Sequence, residues 1–246
     1  NLIKSVKAII ENIDAIIHLA AISSNRDVNI DPPLSIDVNL KGTLNLYQTA
    51  QKLNVKQFIF ASSDWVYDGI KNSDKLLSED SIIDINCVNH LYALTKLVGE
   101  RLLKIFYNKD SCSVTILRFG MIYGPRPIPP SGIGGLAGIF QEVAEQDTIT
   151  IYGGLKTARR YTHVSDIAEG ILSAIGQDGY QVFNLCGSDL ISLKDVIDCS
   201  IDILKRNPKI IETDSQNFTI RNPDNSKAME ILNWKPRIDL KSGLKS

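Results

Sequence analysis

The chain has 246 residues, 43% hydrophobic and 22% charged, with a net charge of -1, which is enough apolar material for a sizeable core in one domain or two interleaved ones. Lys and Arg are scattered, so no basic stripe suits nucleic acid or an anionic membrane, no apolar run approaches the ~20 residues that span a bilayer, and no signal-peptide pattern opens the chain. Cys87, Cys112, Cys186 and Cys199 are irregularly spaced, and His18, His90 and His163 lack ligand spacing, which argues for thiols in a reducing, cytoplasmic compartment and against a metal site.

Leu2–Asn12 reads as an amphipathic helix, and the apolar run from Ile13 to Ala21 as a buried strand ending in small residues. Asp31-Pro-Pro opens a long helix to about Asn54, since proline suits a first helical turn. A strand from Lys56 to Ser63 follows, then a loop rich in Asp, Ser and Asn to His90. In the helix that comes next, Leu91, Leu94, Val98, Leu102 and Ile105 mark a buried stripe, with Tyr92, Lys96 and Leu103 on a different side. Ser113 to Arg118 reads as another strand. Buried strands alternating with helices predict an α/β fold with a parallel sheet and right-handed crossovers. Ligands gather outside the strand C-termini of such sheets, here His18–Ala21, Ser62–Ser63 and Phe119–Met121.

The pattern changes after Pro125. Residues 126–138 are rich in Pro and Gly. Short strands around Thr148–Tyr152 and Tyr161–Val164, a helix from about Asp166, a strand at Val182–Leu185 and a helix from about Ser192 follow. The expected division gives residues 1–125 to a cofactor domain, with 160–190 returning to it. Residues 126–159 and 191–246 form a smaller substrate-binding cap.

One constellation carries chemistry. Tyr92 and Lys96 lie four apart on a helix and therefore on one face, 29 residues after Ser63 at a strand end. An ammonium beside a phenol favours phenolate and lowers a pKa that starts near ~10. A hydroxyl from a separate strand can bind the same substrate oxygen. Together they would transfer the proton of an alcohol becoming a ketone, which is half of a hydride-transfer reaction. The spacing alone reads equally as a tyrosine at a helix start with a solvated lysine. Tyr67/Lys71 and Tyr152/Lys156 share it, but they enclose glycines and read as turns.

Such chemistry calls for a glycine-rich strand-to-helix turn that takes a pyrophosphate on backbone N–H groups. Only Gly132-Ile-Gly-Gly-Leu-Ala fits by letters, and it follows a proline-rich loop rather than a strand. Either the chain starts downstream of that turn or it does not bind a dinucleotide. With the first strand of the sheet missing, Asp14–Leu19 would present an apolar edge, and the polypeptide as written is expected to fold badly, bind dinucleotide poorly and lack activity.

Seven landmarks occur in order: His18-Leu-Ala-Ala; Asp37-Val-Asn-Leu-Lys-Gly-Thr; Ala61-Ser-Ser-Asp-Trp-Val-Tyr; Tyr92-Ala-Leu-Thr-Lys; Leu117-Arg-Phe-Gly-Met-Ile-Tyr-Gly-Pro; Arg159-Arg-Tyr-Thr-His-Val-Ser-Asp; and Asp224-Asn-Ser-Lys-Ala with Leu232-Asn-Trp-Lys-Pro. From about Ile13 to Leu244 the chain resembles the NAD(P)-dependent epimerase/dehydratase family, the extended short-chain dehydrogenase/reductases. The resemblance implies a Rossmann-type doubly wound parallel sheet with an α/β cap, NAD or NADP as cofactor, a nucleotide-sugar substrate and a possible homodimer through the Tyr92 helix.

It also implies roles. Tyr92 is expected as general base and acid, Lys96 to hold the nicotinamide ribose and lower the tyrosine pKa, and Ser63 to hydrogen-bond the reacting oxygen. Leu19, Ala20, Ala21, Asn39, Ser62 and Gly120 fall at cofactor-binding positions. Asp64, Met121 and Arg159 fall at substrate-binding positions, Arg159 on the nucleotide phosphates with Arg160 beside it as a competing assignment. His163 reads as structural. Met121 stands where many members carry Asn, and Arg160 where they carry Asp. Trp65 stands where 4,6-dehydratases carry Glu, which disfavours dehydration. The expected activity is nucleotide-sugar epimerisation through a transient keto-sugar. Ser63-Asp-Trp-Val-Tyr-Asp-Gly also resembles the strand end of dTDP-4-dehydrorhamnose reductase-like proteins, so a 4-keto-sugar reductase remains open, as does a non-catalytic binding protein on the same scaffold.

Overall fold

The computed structural model describes residues 13–70, 75–125 and 135–246. The helix expected at Leu2–Asn12 and the first half of the Gly132 segment, residues 132–134, lie outside the described residues. The chain divides into two units: residues 1–69, 84–118 and 171–183, and residues 70–83, 119–170 and 184–246.

The first unit is built on a parallel sheet with strand order β1 (Ala15–His18), β2 (Gln57–Ser63), β3 (Ser113–Phe119) and β8 (Tyr180–Leu185). Parallel strands need long crossovers, and the helices between them supply these. β2 is buried along its whole length, so an uninterrupted apolar run is what its two covered faces require. Phe58, Phe60, Val114 and Ile116 from β2 and β3 form the core with Tyr47, Ala50 and Leu103 from the helices. β1 differs from the buried strand expected. It is the outer strand of the described sheet, and Ile17 and Leu19 are 39% and 56% exposed.

The long helix expected from Asp31 is present in three pieces: α2 (Pro32–Ile36), a π-helical segment (Asp37–Gly42) and α3 (Thr43–Lys52). Asp31 caps it by accepting from Leu34 N. A separate short helix, α1 (Asn25–Ile30), precedes it, capped by Ser24. The π segment widens the turn at the point where Asn39 is buried, a distortion that often marks a functional position.

The helix α4 (Leu91–Phe106) packs against β2, the π segment and a 3-10 turn at Asp64–Gly69. Its buried face is Ala93, Lys96, Leu97, Glu100 and Leu103, with Thr95 and Gly99. The stripe expected to be buried is the other one: Leu91, Leu94, Val98 and Leu102 are only partly covered, and Ile105 is 72% exposed. Hydrophobic periodicity misleads here because the inward face carries a lysine, a glutamate and a glycine. Gly99 allows a close approach to β2: a Cβ there would sit 3.1 Å from the Phe60 ring, which would have to give way slightly.

The second unit holds three two-stranded pairings. β5 (Thr148–Tyr152) runs parallel to β10 (Lys209–Thr213), β4 (Met121–Tyr123) parallel to β7 (Tyr161–His163), and β6 (Ala158–Arg159) antiparallel to β9 (Ile191–Ser192). Its core joins Ile149 and Ile151 to Ile139 and Val143 of α5 (Leu136–Glu145) and to Val196 and Ile197 of α7 (Leu193–Leu204). Ser192 and Asp195 form a reciprocal capping box at the start of α7. α6 (Val164–Ser173) lies between β7 and β8 in sequence, and α8 (Ser226–Ile231) and α9 (Leu240–Leu244) close the described chain. The sequence reading had not picked out α5, β10, α8 or α9.

Candidate active site

Ser63 ends β2, and Tyr92 and Lys96 open α4, so the close approach of that helix to that strand sets their geometry. The Lys96 amine is 3% exposed and donates to the Ala61 carbonyl at 2.7 Å. It lies 4.7 Å from the Phe60 ring centroid and 5.7 Å from that of Tyr92. Burial pulls its pKa down to about 8, and the Glu100 carboxylate opposes that pull. The Ser63 hydroxyl acts on the Tyr92 phenol, lowering its pKa, and its Oγ accepts from Trp65 N at 3.3 Å. The three residues read from sequence as one device therefore come together in the first unit.

One electrostatic expectation is corrected. The Tyr92 pKa is not lowered in the protein itself: burial pushes it up to about 12, the Ser63 hydrogen bond pulls it down, and the Asp64 charge raises it. Lys96 does not offset burial because its amine is turned onto the Ala61 carbonyl. Asp64 itself is buried beside Ser63. Trp65 stacks on His90 with ring centroids 4.5 Å apart, and the His90 ring meets Tyr92 edge-on at 6.2 Å.

Asn39 is buried and bound on both sides of its amide. It accepts from Ile22 N at 2.8 Å and donates to Ile22 O at 2.9 Å and to Thr95 Oγ1 at 3.1 Å. It thereby fixes the loop after β1, where Leu19 and Ala20 are exposed and Ala21 is half-buried. His18 lies beneath that loop, 2.9 Å from Thr43 Oγ1.

The Ser62 side chain points away from this edge. It donates to Glu100 Oε1 at 2.5 Å. Glu100 in turn takes Arg118 on both oxygens, at 3.0 and 2.7 Å, and Arg118 reaches the Tyr67 hydroxyl at 2.8 Å. Sequence reasoning missed Glu100 and Arg118. The signal for Glu100 was its position four residues after Lys96, on the same helix face.

Gly120, Met121 and Arg159 belong to the second unit. A Cβ on Gly120 would fall 2.6 Å from the Arg160 carbonyl and 2.8 Å from Cys186 Cβ, so this position excludes any side chain. Met121 is partly buried and packs against the apolar core of the unit. Arg159 is buried and donates to the carbonyls of Ala158 and Thr219 and to Thr219 Oγ1. Arg160 donates to Asn222 Oδ1 and to the carbonyls of Gly187 and Ser188, holding chain segments together. Arg221 is also buried, and its backbone N–H donates to Ala158 O at 3.2 Å. Among the described residues no group of His, Cys, Asp and Glu could hold a metal ion, and no helix is long and apolar enough to cross a membrane. None of the four cysteines is in a disulfide.

Residues 3–186 match the family model described as NAD dependent epimerase/dehydratase family. A UDP-glucuronate 4-epimerase of Thermodesulfobacterium geofontis is 29% identical over 247 residues, covering 98% of this chain and 74% of that protein. The structure of a Thermotoga maritima UDP-glucose 4-epimerase with UDP-glucose superposes with a TM-score of 0.87 at 25% identity, covering 99% of this chain and 78% of that one. A UDP-glucuronic acid 4-epimerase of Bacillus cereus, in complex with UDP-glucuronic acid and NAD, gives 0.82 at 25% identity, covering 100% and 76%.

Proposed function

The chain belongs to the NAD-dependent epimerase/dehydratase family, and from that premise we propose that it is a nucleotide-sugar 4-epimerase acting on a UDP-hexose or UDP-hexuronate with NAD. The observation that carries this reading is the Ser63–Tyr92–Lys96 cluster: a hydroxyl that lowers the pKa of a phenol, with a buried amine 5.7 Å from that ring's centroid on the same helix. The residues fit a nicotinamide nucleotide, because a buried amine beside two hydroxyls is a donor set for a ribose and a carbinol. When bound, NAD supplies the oxidant that takes a hydride from the carbinol carbon and returns it.

The chain's own residues do the rest. Ser63 holds the reacting oxygen. Tyr92 takes the proton of that hydroxyl as the carbonyl forms, and gives it back when the keto-sugar presents its other face. Lys96 donates to the ribose hydroxyls and places its charge near the phenol. Burial leaves the phenol too basic to ionise at neutral pH and Lys96, turned onto the Ala61 carbonyl, does not offset it, so the positive charge of a bound oxidised nicotinamide would be what makes proton removal feasible. Ala20 and Ala21 leave room for close approach, and Asn39 and Ser62 hold the loop and strand end in place. Asp64 borders the sugar. In the second unit, Arg159 carries positive charge for a nucleotide diphosphate. The protein pairs through the partly covered apolar stripe of α4 into a homodimer.

The test is incubation of the protein with UDP-glucuronate or UDP-glucose and NAD, followed by NMR of the sugar. A C4 epimer without net NADH supports the reading and overturns the expectation that the polypeptide as written lacks activity; NAD bound, as read by titration, with no conversion of either sugar counts against the reading. A second reading, reduction of a 4-keto-sugar, draws on the Ser63–Gly69 turn and on Trp65 in place of an acid. Stoichiometric NADH or NADPH consumption with a keto-sugar would favour it.

A further inference from the structure

Beneath the proton-transfer cluster lies a buried ion pair that touches none of the reacting groups. The Glu100 and Arg118 side chains are 4% and 5% exposed, with Nη2 and Oε2 2.7 Å apart. Each end of the pair is tied to something catalytic. Glu100 lies one helical turn after Lys96, on the same buried face of α4. Its Oε1 holds the Ser62 hydroxyl at 2.5 Å, and Ser62 is the backbone neighbour of Ser63. Arg118 Nη1 holds the Tyr67 hydroxyl at 2.8 Å, which fixes the 3-10 turn that begins at Asp64. Tyr180 donates to the Glu100 carbonyl at 3.0 Å, tying the helix to a further strand.

Burying two full charges is a poor route to stability, because their desolvation offsets most of the attraction. A pair of apolar residues would fill the same space with less cost. What such residues would not supply is a negative charge one turn from a buried amine, or a shared anchor for a strand end and a helix. We infer that Glu100 and Arg118 form a positioning pair for the proton-transfer site: Glu100 sets Ser63 through Ser62 and keeps Lys96 cationic, while Arg118 limits how much of that charge Lys96 feels. This deepens the epimerase reading and rests on it only for its kinetic consequence.

The environment of Lys96 bears this out in sign. Burial drags its pKa to about 8, and the Glu100 charge works in the opposite direction. The other groups facing this region are Tyr92 on the same helix, His18 on β1, Asp64 and Tyr67 on the 3-10 turn, and Arg118 on β3. His18 feels Lys96 as a neighbouring charge and is itself held neutral by burial. Asp37 and Lys41 on the π segment pair with each other at the surface, and Arg26, Asp27 and Asp68 lie on packed elements with Arg26 and Asp27 exposed and Asp68 half-buried. Glu100 is therefore the acid placed to hold the proton on Lys96 at a pH near its midpoint.

The two partners make opposite predictions, which a structural role would not. Glu100→Gln keeps the shape of the side chain and removes the negative charge, so Lys96 titrates at lower pH and the alkaline limb of kcat moves down with it. Arg118→Met leaves the Glu100 charge uncompensated, so the same titration moves up. The Lys96 titration is read directly in the full chain, from the side-chain carbon shifts of labelled lysine, with Lys96→Met assigning the resonance. kcat and KM for UDP-glucuronate are read alongside. Opposite shifts of the Lys96 titration, with kcat down about tenfold and KM within about twofold, support the proposal. Equal titrations in both variants overturn it.

If only one variant folds, the sign of its shift decides. If neither does, Glu100→Gln/Arg118→Met, which removes both charges together, decides by turnover: loss of kcat with NAD binding kept supports the pair, and parental kcat overturns it. Opposite shifts in a protein that converts no nucleotide sugar would leave the pair standing and count against the epimerase reading alone.

Discussion

Asn39 binds the main chain of Ile22 as a neighbouring strand would, accepting from its N–H at 2.8 Å and donating to its carbonyl at 2.9 Å. The same amide nitrogen donates to Thr95 Oγ1, whose hydroxyl donates to the Tyr92 carbonyl at 2.8 Å. A single buried side chain in the π segment thus joins the loop after β1 to the first turn of the catalytic helix. Asn39→Ala leaves the Ile22 amide and carbonyl without these partners and is expected to cost about 2–4 kcal/mol in urea denaturation. Asn39→Asp should be no better, because an oxygen would then face the Ile22 carbonyl. An Asp variant as stable as the parent would show that the amide's donor half contributes nothing.

Tyr92→Phe removes the proton carrier and keeps the ring against His90. Its kcat for nucleotide-sugar conversion should fall by about 10²- to 10⁴-fold, the usual contribution of a positioned acid–base group. The Kd for NAD should stay within about twofold, since the ribose donor is Lys96. Conversion at the parental rate would remove Tyr92 from the mechanism. A parallel loss of NAD affinity would mean that the phenol was holding the helix rather than the proton.

Motif order in the sequence was enough to single out Ser63, Tyr92 and Lys96 as candidates, because each sits at the end or start of an element whose type the apolar pattern reveals. Which face of α4 turns inward was not legible. Its covered side bears Lys96, Gly99 and Glu100, and its apolar side is partly exposed, so the hydrophobic stripe pointed outward. Partners distant in sequence were hidden for a different reason. Glu100 with Arg118, and Asn39 with Ile22, meet only once strands and helices have packed. Periodicity carries no record of which polar groups face each other across that packing. Asp31-Pro-Pro announced the start of a long helix correctly, but nothing in Asp37-Val-Asn-Leu-Lys-Gly marks its π segment in advance.

The outward stripe has a consequence of its own. Leu91, Leu94, Val98 and Leu102 are partly covered, and Ile105 and Phe106 beyond them are exposed. Contiguous exposed apolar side chains of this kind favour association. With Leu94 and Leu102 both changed to Glu, sedimentation should report a shift from dimer to monomer with the circular dichroism of the parent retained. A parent that sediments as a monomer at the same concentration would remove the homodimer from the proposal.

Acid should weaken the first unit through His18. Burial, with the Lys96 charge adding to it, lowers the imidazole pKa from 6.5 to about 4. The folded protein therefore disfavours the protonated ring, and between those two values the unfolded chain binds more protons than the folded one. Stability consequently rises with pH in that window: the contribution of neutral His18 is complete above about pH 6.5 and is lost as pH falls toward 4. The size is about 1–3 kcal/mol, given that part of the site is near water. Replacing the ring by His18→Gln keeps an amide that can reach Thr43 and removes the titration. Denaturant unfolding of the two proteins at steps from pH 7 to pH 4 should show a steeper loss in the parent than in the variant. Parallel curves would mean that the imidazole titrates alike in both states, and that the Thr43 contact rather than burial governs it.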